Sequence, residues 1–240
     1  MQLSEKYRPQ TWEEVTGQSQ AVNRIKTLAA RGLAGRAYWV SGPSGSGKTT
    51  MARILARDVA AEWDTEEIDG TTLTVAKCKE LDYTLSLRGM QGRGRAIIVN
   101  ESHGLRKDVC RYLLVALERI PSHAVWIFTT TNAGQEGLFD DCIDAGPLLS
   151  RCALLQLSAQ TTEAFAQRAL EIARQEGLDG RPLADYVQLV IRCKGNLRAA
   201  IQAVEQGDML PAPQPATAVP DWPIALPPGF ALVNGAIKRI

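Results

Sequence analysis

The chain has 240 residues, 45% of them hydrophobic, with 27 Lys and Arg against 26 Asp and Glu. That length and apolar content can bury a full core, as one medium domain plus a smaller one, and the near-zero net charge excludes a global basic field, so any nucleic-acid surface has to be a local patch. The five cysteines (Cys78, Cys110, Cys142, Cys152, Cys193) are odd in number, scattered and without a C-x-x-C pair, which points to free thiols rather than a zinc site or a disulfide framework. Met1 to Lys6 has no apolar signal core and no run reaches membrane-spanning length, so a cytoplasmic location with no membrane partner is expected.

In chain order, Glu5-Lys6-Tyr7-Arg8-Pro9 leads through Trp12 and Val15 to Thr16-Gly17-Gln18, after which Ala21, Val22, Ile25 and Leu28 fall on one helical face. Ala37 to Val40 reads as a strand and Met51 to Ala56 as a helix. Between them Gly42-Pro43-Ser44-Gly45-Ser46-Gly47-Lys48-Thr49-Thr50 has the spacing of a phosphate-binding loop. Its glycines let backbone N–H groups surround a phosphate. Lys48 would reach the β- and γ-phosphates, and Thr49 would place its hydroxyl on Mg²⁺. The amino end of the following helix adds its partial positive charge. A nucleoside triphosphate with Mg²⁺ is the expected ligand.

Thr65 to Asp69 reads as a short strand and Thr72 to Leu87 as a helix, followed by a glycine-rich loop with Arg88, Arg93 and Arg95. That loop is either a solvated turn or a contact for nucleic-acid phosphates. Ala96 to Val99 is a continuous apolar run, as a parallel strand buried on both faces requires, and it ends in Asn100-Glu101-Ser102-His103. The next helix carries Leu105, Val109, Tyr112, Leu113, Ala116 and Leu117 as a core stripe, with Arg106, Lys107 and Arg111 outside it. Ala124 to Asn132 is another buried-strand run. After an acidic connection come Leu148-Leu149-Ser150-Arg151-Cys152 and a last strand at Leu154 to Leu157. Helical periodicity then takes over, with Phe165, Ala169, Ile172 and Ala173 on one face and Leu197, Ala200, Ile201 and Val204 on another. From Leu210 seven prolines exclude regular helix and imply an extended tail.

The order of these segments resembles the clamp-loader ATPases of the AAA+ superfamily, such as replication factor C small subunits and bacterial clamp-loader subunits. The likeness covers roughly residues 3 to 207 and rests on several motifs in register. It implies an α/β fold, a P-loop NTPase with a five-stranded parallel sheet sandwiched by helices over residues 1–158. A small helical lid over 159–209 and a Pro-rich tail over 210–240 would follow, with no room for the collar domain usual in the family. The resemblance implies that Tyr7, Arg8, Pro9, Val15 and Gly17 contact the nucleotide. It makes Glu101 the residue that polarises the attacking water, and Thr131, with Asn132 second, the sensor at the γ-phosphate. Arg198, in Gly195-Asn196-Leu197-Arg198, would be the lid's arginine, and Arg151, in Ser150-Arg151-Cys152, the finger that enters a neighbouring subunit's site.

Leu113 to Glu118 resembles the family's Leu-Leu-Lys-x-Leu-Glu segment, which makes Arg106, Lys107 and Arg111 candidate DNA contacts. One position departs from the pattern: Asn100 stands where the family has the Asp that supports Mg²⁺ through water. The amide keeps an oxygen but removes a charge, so Mg²⁺ binding should weaken and hydrolysis should slow. The resemblance implies ATP hydrolysis in a homo- or hetero-oligomeric ring or spiral on DNA, acting on a partner such as a sliding clamp. The other readings are a weakly hydrolysing AAA+ scaffold and a helicase-loader or transposition-regulator ATPase.

Overall fold

The apolar runs form one five-stranded parallel sheet in the computed structural model, which describes residues 1–89, 93–131, 145–158, 161–211, 230–233 and 236–239. Its strands are β1 (Arg36–Gly42), β2 (Ala60–Asp69), β3 (Gly94–Asn100), β4 (Ala124–Thr131) and β5 (Cys152–Gln156), in the spatial order β2-β3-β4-β1-β5. Helices cover both faces, which is why the inner strands β1, β3 and β4 carry continuous buried runs rather than alternating ones, while the edge strand β2 is largely polar. Tyr38, Val40, Ile98 and Ile127 meet Ile25 of α2 (Ser19–Ala29) and Met51 and Leu55 of α3 (Lys48–Val59). Their neighbours Trp39, Ile97, Val99, Trp126 and Phe128 face the opposite way. They meet Leu81 and Leu85 of α4 (Val75–Ser86) and Val109 and Leu113 of α5 (Lys107–Ala116). Trp39, Phe128 and Trp126 stack in a row, with ring centroids 5.5 and 5.9 Å apart.

After α6 (Ala145–Ser150) and β5 the chain is helical, with α7 (Thr162–Glu176), α8 (Leu183–Arg192) and α9 (Leu197–Glu205) around a core of their own that includes Phe165, Leu170, Tyr186, Leu189 and Val204. The Thr161 hydroxyl caps α7 by accepting from Ala164 N, and Gly177 ends it at φ +68°, a left-handed value that favours glycine. The short α1 (Leu3–Lys6) lies on this helical unit, where Leu3 packs with Ile172 and Ile201.

Several boundaries differ from the sequence reading. The expected strand 65–69 is the regular part of β2, which begins at Ala60 with a register shift before Thr65. Helix α4 starts at Val75 rather than Thr72, because Thr74 caps it through Lys77 N while the Thr71 and Thr72 hydroxyls bond back to Asp69. β5 begins at Cys152, paired to Ala37. Phe230–Val233 and Ala236–Arg239 form an antiparallel pair, β6 and β7, where a single extended segment was expected. The acidic connection 133–144 and the proline-rich stretch 212–229 lie outside the described residues. No helix among the described residues is long and apolar enough to cross a membrane.

Candidate functional site

Register collects the chemistry at the carboxyl ends of the strands, where parallel α/β sheets bind ligands. Gly42 at the end of β1 pairs with Thr131 at the end of β4, and Asp69 of β2 pairs with Asn100 of β3. The Thr129 hydroxyl donates to Asn100 Oδ1 at 2.9 Å, so the ends of β3 and β4 are tied by side chains as well.

The loop between β1 and α3 is shaped by glycine. Gly45 and Gly47 adopt φ +76° and +94°, left-handed values that L side chains rarely take, and Gly47 stands at the amino end of α3. A Cβ at Gly42 would come within 2.8 Å of Leu157 Cβ. Lys48 is buried, and its Nζ donates to the carbonyls of Gly42 at 3.2 Å and Pro43 at 2.8 Å. An ammonium has three donors, so one remains for an anion. Burial pushes the Lys48 pKa down, and the nearby Glu101 carboxylate opposes that shift. Ser46 Oγ is buried with no hydrogen-bond partner among the described residues, a lack that a phosphate oxygen would meet.

Glu101 follows β3 at φ +48°, a conformation that costs roughly 1–3 kcal/mol for a residue with a Cβ. The turn is held by Gly70, whose N–H donates to the Asn100 carbonyl at 2.6 Å. Glu101 Oε2 lies 3.4 Å from His103 Nδ1. Thr49 Oγ1 stands 3.4 Å from Asn100 Oδ1. Among the described residues no group of three or more His, Cys, Asp or Glu is placed to hold a metal. Mg²⁺ does not require one, since it keeps several waters and is held mainly by phosphates together with one or two protein oxygens, usually carboxylates, here the neutral oxygens of a hydroxyl and an amide. The paired oxygens of Thr49 and Asn100 fit that need.

One cleft brings these groups together with residues from both ends of the chain. Its walls include Tyr7, Arg8, Pro9 and Val15 from the amino-terminal arm, Ser44 to Thr50 from the phosphate loop, Glu101, Thr131, and Arg198 from α9. Of the expected nucleotide contacts, Gly17, Gly42 and Pro43 do not line it. Gly17 sits in a turn at φ +75°, and the other two act through their carbonyls on Lys48. Asn100 stands behind Thr49, and Asn132 lies outside the described residues.

The sequence reading also passed over several groups. Arg168 of α7, paired with Glu171 at 3.3 Å, also lines the cleft, although no motif marks it. Phe165, Ile172, Leu197 and Ile201 give the same side of the cleft an apolar lining. Asn196 caps α9 and approaches the loop so closely that a Cβ on Gly45 would fall 2.7 Å from its Oδ1. Gln18 is buried behind the loop; it donates to the carbonyls of Ser46 at 3.3 Å and Ser158 at 2.9 Å and accepts from Ser158 N at 3.2 Å. Its place directly after Gly17 was the available clue.

Arg151 does not line the cleft of its own chain. It is held at the surface by Glu118, at 2.6 and 3.0 Å, and by the Pro147 carbonyl at 2.8 Å. Arg88, Arg93, Arg106, Lys107 and Arg111 are exposed. Arg93 donates to the Arg57 carbonyl, and Arg106 is forked onto Asp108. Arg95 corrects the sequence reading: it belongs to β3 rather than to the loop, half-buried and 3.5 Å from the buried Asp64.

Residues 1–92 match the family described as the Rad17 P-loop domain. The chain is 28% identical over 234 residues to DNA polymerase III subunit tau of Escherichia coli, covering 86% of this chain and 35% of that protein. It is 30% identical over 213 residues to the replication factor C small subunit of Archaeoglobus fulgidus, covering 84% and 62% respectively. The chain is related to the clamp-loader ATPases. This relative of the clamp loaders also has the fold of the Thermotoga maritima RuvB Holliday junction branch migration motor, with a TM-score of 0.64 at 23% identity over 83% of this chain and 64% of that one. It spans about a quarter to three-fifths of the length of the curated relatives it matches.

Proposed function

We propose that the chain binds ATP with Mg²⁺ in this cleft and hydrolyses it as one subunit of a clamp-loader-like ring or spiral on DNA, loading or remodelling a replication or repair partner such as a sliding clamp. The observation that carries this reading is the convergence of the phosphate loop, Glu101, Thr131 and Arg198 on one cleft. Backbone N–H groups from Ser44 to Thr50 and the third donor of Lys48 would take the β- and γ-phosphates. The apolar side chains of α7 and α9 and the arm residues Tyr7, Pro9 and Val15 offer a surface for the base. Glu101 would orient and polarise the attacking water, Thr131 would position it, and Arg198 would meet charge on the γ-phosphate from the helical side. Mg²⁺, held by Thr49 and through water by Asn100, would neutralise phosphate charge when bound.

Arg151 would act in an oligomer: because it lies outside its own cleft, the ATP it could meet is one in a neighbouring site, whether the neighbour is a copy of this chain or a different subunit. Arg88, Arg93, Arg106, Lys107 and Arg111 are exposed cations that would meet DNA phosphates. Asn100 favours a second reading, in which the chain binds ATP and scaffolds partners with little turnover. A cytoplasmic location accords with either.

The deciding experiment mixes two inactive proteins. Arg151→Ala should still bind ATP, and Lys48→Ala should still offer its Arg151. Together they regain turnover if the finger acts in trans, and unchanged inactivity on mixing overturns that arrangement.

A further inference from the structure

An amide has two unlike ends, and which end of Asn100 faces the phosphate loop decides whether that position can serve a cation. Its Nδ2 donates to Glu67 Oε1 at 2.6 Å, while Oδ1 accepts from Thr129 at 2.9 Å and lies 3.4 Å from the Thr49 hydroxyl. A carboxylate only accepts, so Glu67 must take the NH₂ end, and the oxygen is turned toward Thr49. Glu67 lies on the edge strand β2, two residues before Asp69, the register partner of Asn100. It is itself held by Arg53, with Nε at 2.8 Å from Oε2 and Nη2 at 3.2 Å from Oε1. Arg53 stands one turn beyond Thr49 on α3, so the chain of contacts leaves the candidate Mg²⁺ site and returns to the helix that supplies its hydroxyl.

We propose that Glu67 is a positioning residue for Mg²⁺, fixing the Asn100 amide so that a neutral position presents oxygen, and not hydrogen, to the cation's water shell. This rests on the reading that ATP and Mg²⁺ bind beside Thr49. It has a second consequence. The negative charge that an Asp would have placed at position 100 is moved one side chain outward, where Arg53 balances it. An Asp at 100 would set a carboxylate oxygen against the Glu67 carboxylate at the separation now spanned by a hydrogen bond, and like charges in contact are mutually destabilising. Restoring the charge at 100 therefore strengthens Mg²⁺ binding only when Glu67 is neutralised as well.

The test measures the affinity of the full chain for a fluorescent ATP analogue, mant-ATP, in EDTA and across a Mg²⁺ titration. Glu67→Ala should raise the Mg²⁺ concentration needed for half-maximal tightening several-fold and leave the EDTA affinity as it was. Asn100→Asp alone should give no gain. Asn100→Asp with Glu67→Gln should bind Mg²⁺·nucleotide more tightly than either parent, by about tenfold if the coupling is typical of contacting residues. An unchanged Mg²⁺ midpoint in Glu67→Ala, or a full gain from Asn100→Asp alone, overturns the proposal while leaving ATP binding intact. Equal losses with and without Mg²⁺ would make Glu67 merely structural and overturn it too. Failure of the wild-type protein to bind mant-ATP under any condition overturns the parent reading and this inference with it.

Discussion

The two walls of the cleft are built by different means. The phosphate-loop wall is set by backbone: left-handed Gly45 and Gly47, the strand pairing of Gly42 with Thr131, and Lys48 anchored on two carbonyls. The helical wall is set by side chains, with Arg168 and Arg198 reaching in from α7 and α9. Its ties to the amino-terminal arm are Lys6 and Tyr7 on Glu176, Leu3 N on Glu205, and Leu3 packed against Ile172 and Ile201. Backbone-built donors are already arranged before a ligand arrives and cost no reorganisation. Solvent-exposed ion pairs contribute little to stability and are easily exchanged. The first wall is therefore suited to affinity, and the second to reporting what is bound.

Substitutions on the loop side should separate chemistry from binding. The largest effect is expected for Glu101→Gln. Its turnover should fall by about 10²–10⁴-fold, the usual worth of a positioned general base, with ATP affinity preserved. A rate unchanged by Glu101→Gln would remove the hydrolytic role. Lys48→Ala should follow, weakening ATP binding by roughly 10–100-fold, as loss of one charge-assisted hydrogen bond implies. Its melting temperature without nucleotide should not fall, because burial already disfavours the Lys48 ammonium. A large loss of stability would show that Lys48 acts as a structural brace rather than a phosphate ligand.

The same division explains what could be read from the sequence. Strands β1, β3 and β4 were legible because burial on both faces demands uninterrupted apolar runs, and the loop was legible because glycine geometry fixes its spacing. Arg198 was legible only through the family resemblance, and Arg168 not at all, since a single arginine on a helix carries no periodic signature. Position 100 was visible as a departure that removes a charge, but the orientation of its amide was not. The partner that orients Asn100 is 33 residues away in sequence and becomes a neighbour only through the pairing of β2 with β3. Arg95 misled for the opposite reason: glycine and arginine look alike in a loop and at a strand entrance, and only the buried Asp64 beneath it distinguishes them.

On the helical wall the effects should be smaller and should depend on the ligand. Arg198→Ala is expected to lower ATP affinity by about tenfold, the scale of one hydrogen bond to a charged group, and to leave ADP affinity nearly unchanged if the arginine meets the γ-phosphate. Equal losses for ATP and ADP would place it elsewhere on the nucleotide.

Tyr7→Phe should have the smallest effect, and pH makes it measurable. Lys6, and after it Tyr7, hold the Glu176 carboxyl below its usual range. A carboxylate whose pKa is depressed on folding contributes stability that is present above its unfolded pKa and is lost as pH falls through the folded one. The difference in melting temperature between wild type and Tyr7→Phe should therefore be constant at neutral pH and close as pH falls below the ordinary carboxylate range. A difference that persists in acid would mean that the hydroxyl stabilises the arm without needing the ionised Glu176 carboxylate, and no difference at any pH would mean that the ring packed against the helical unit, which phenylalanine keeps, ties the arm down.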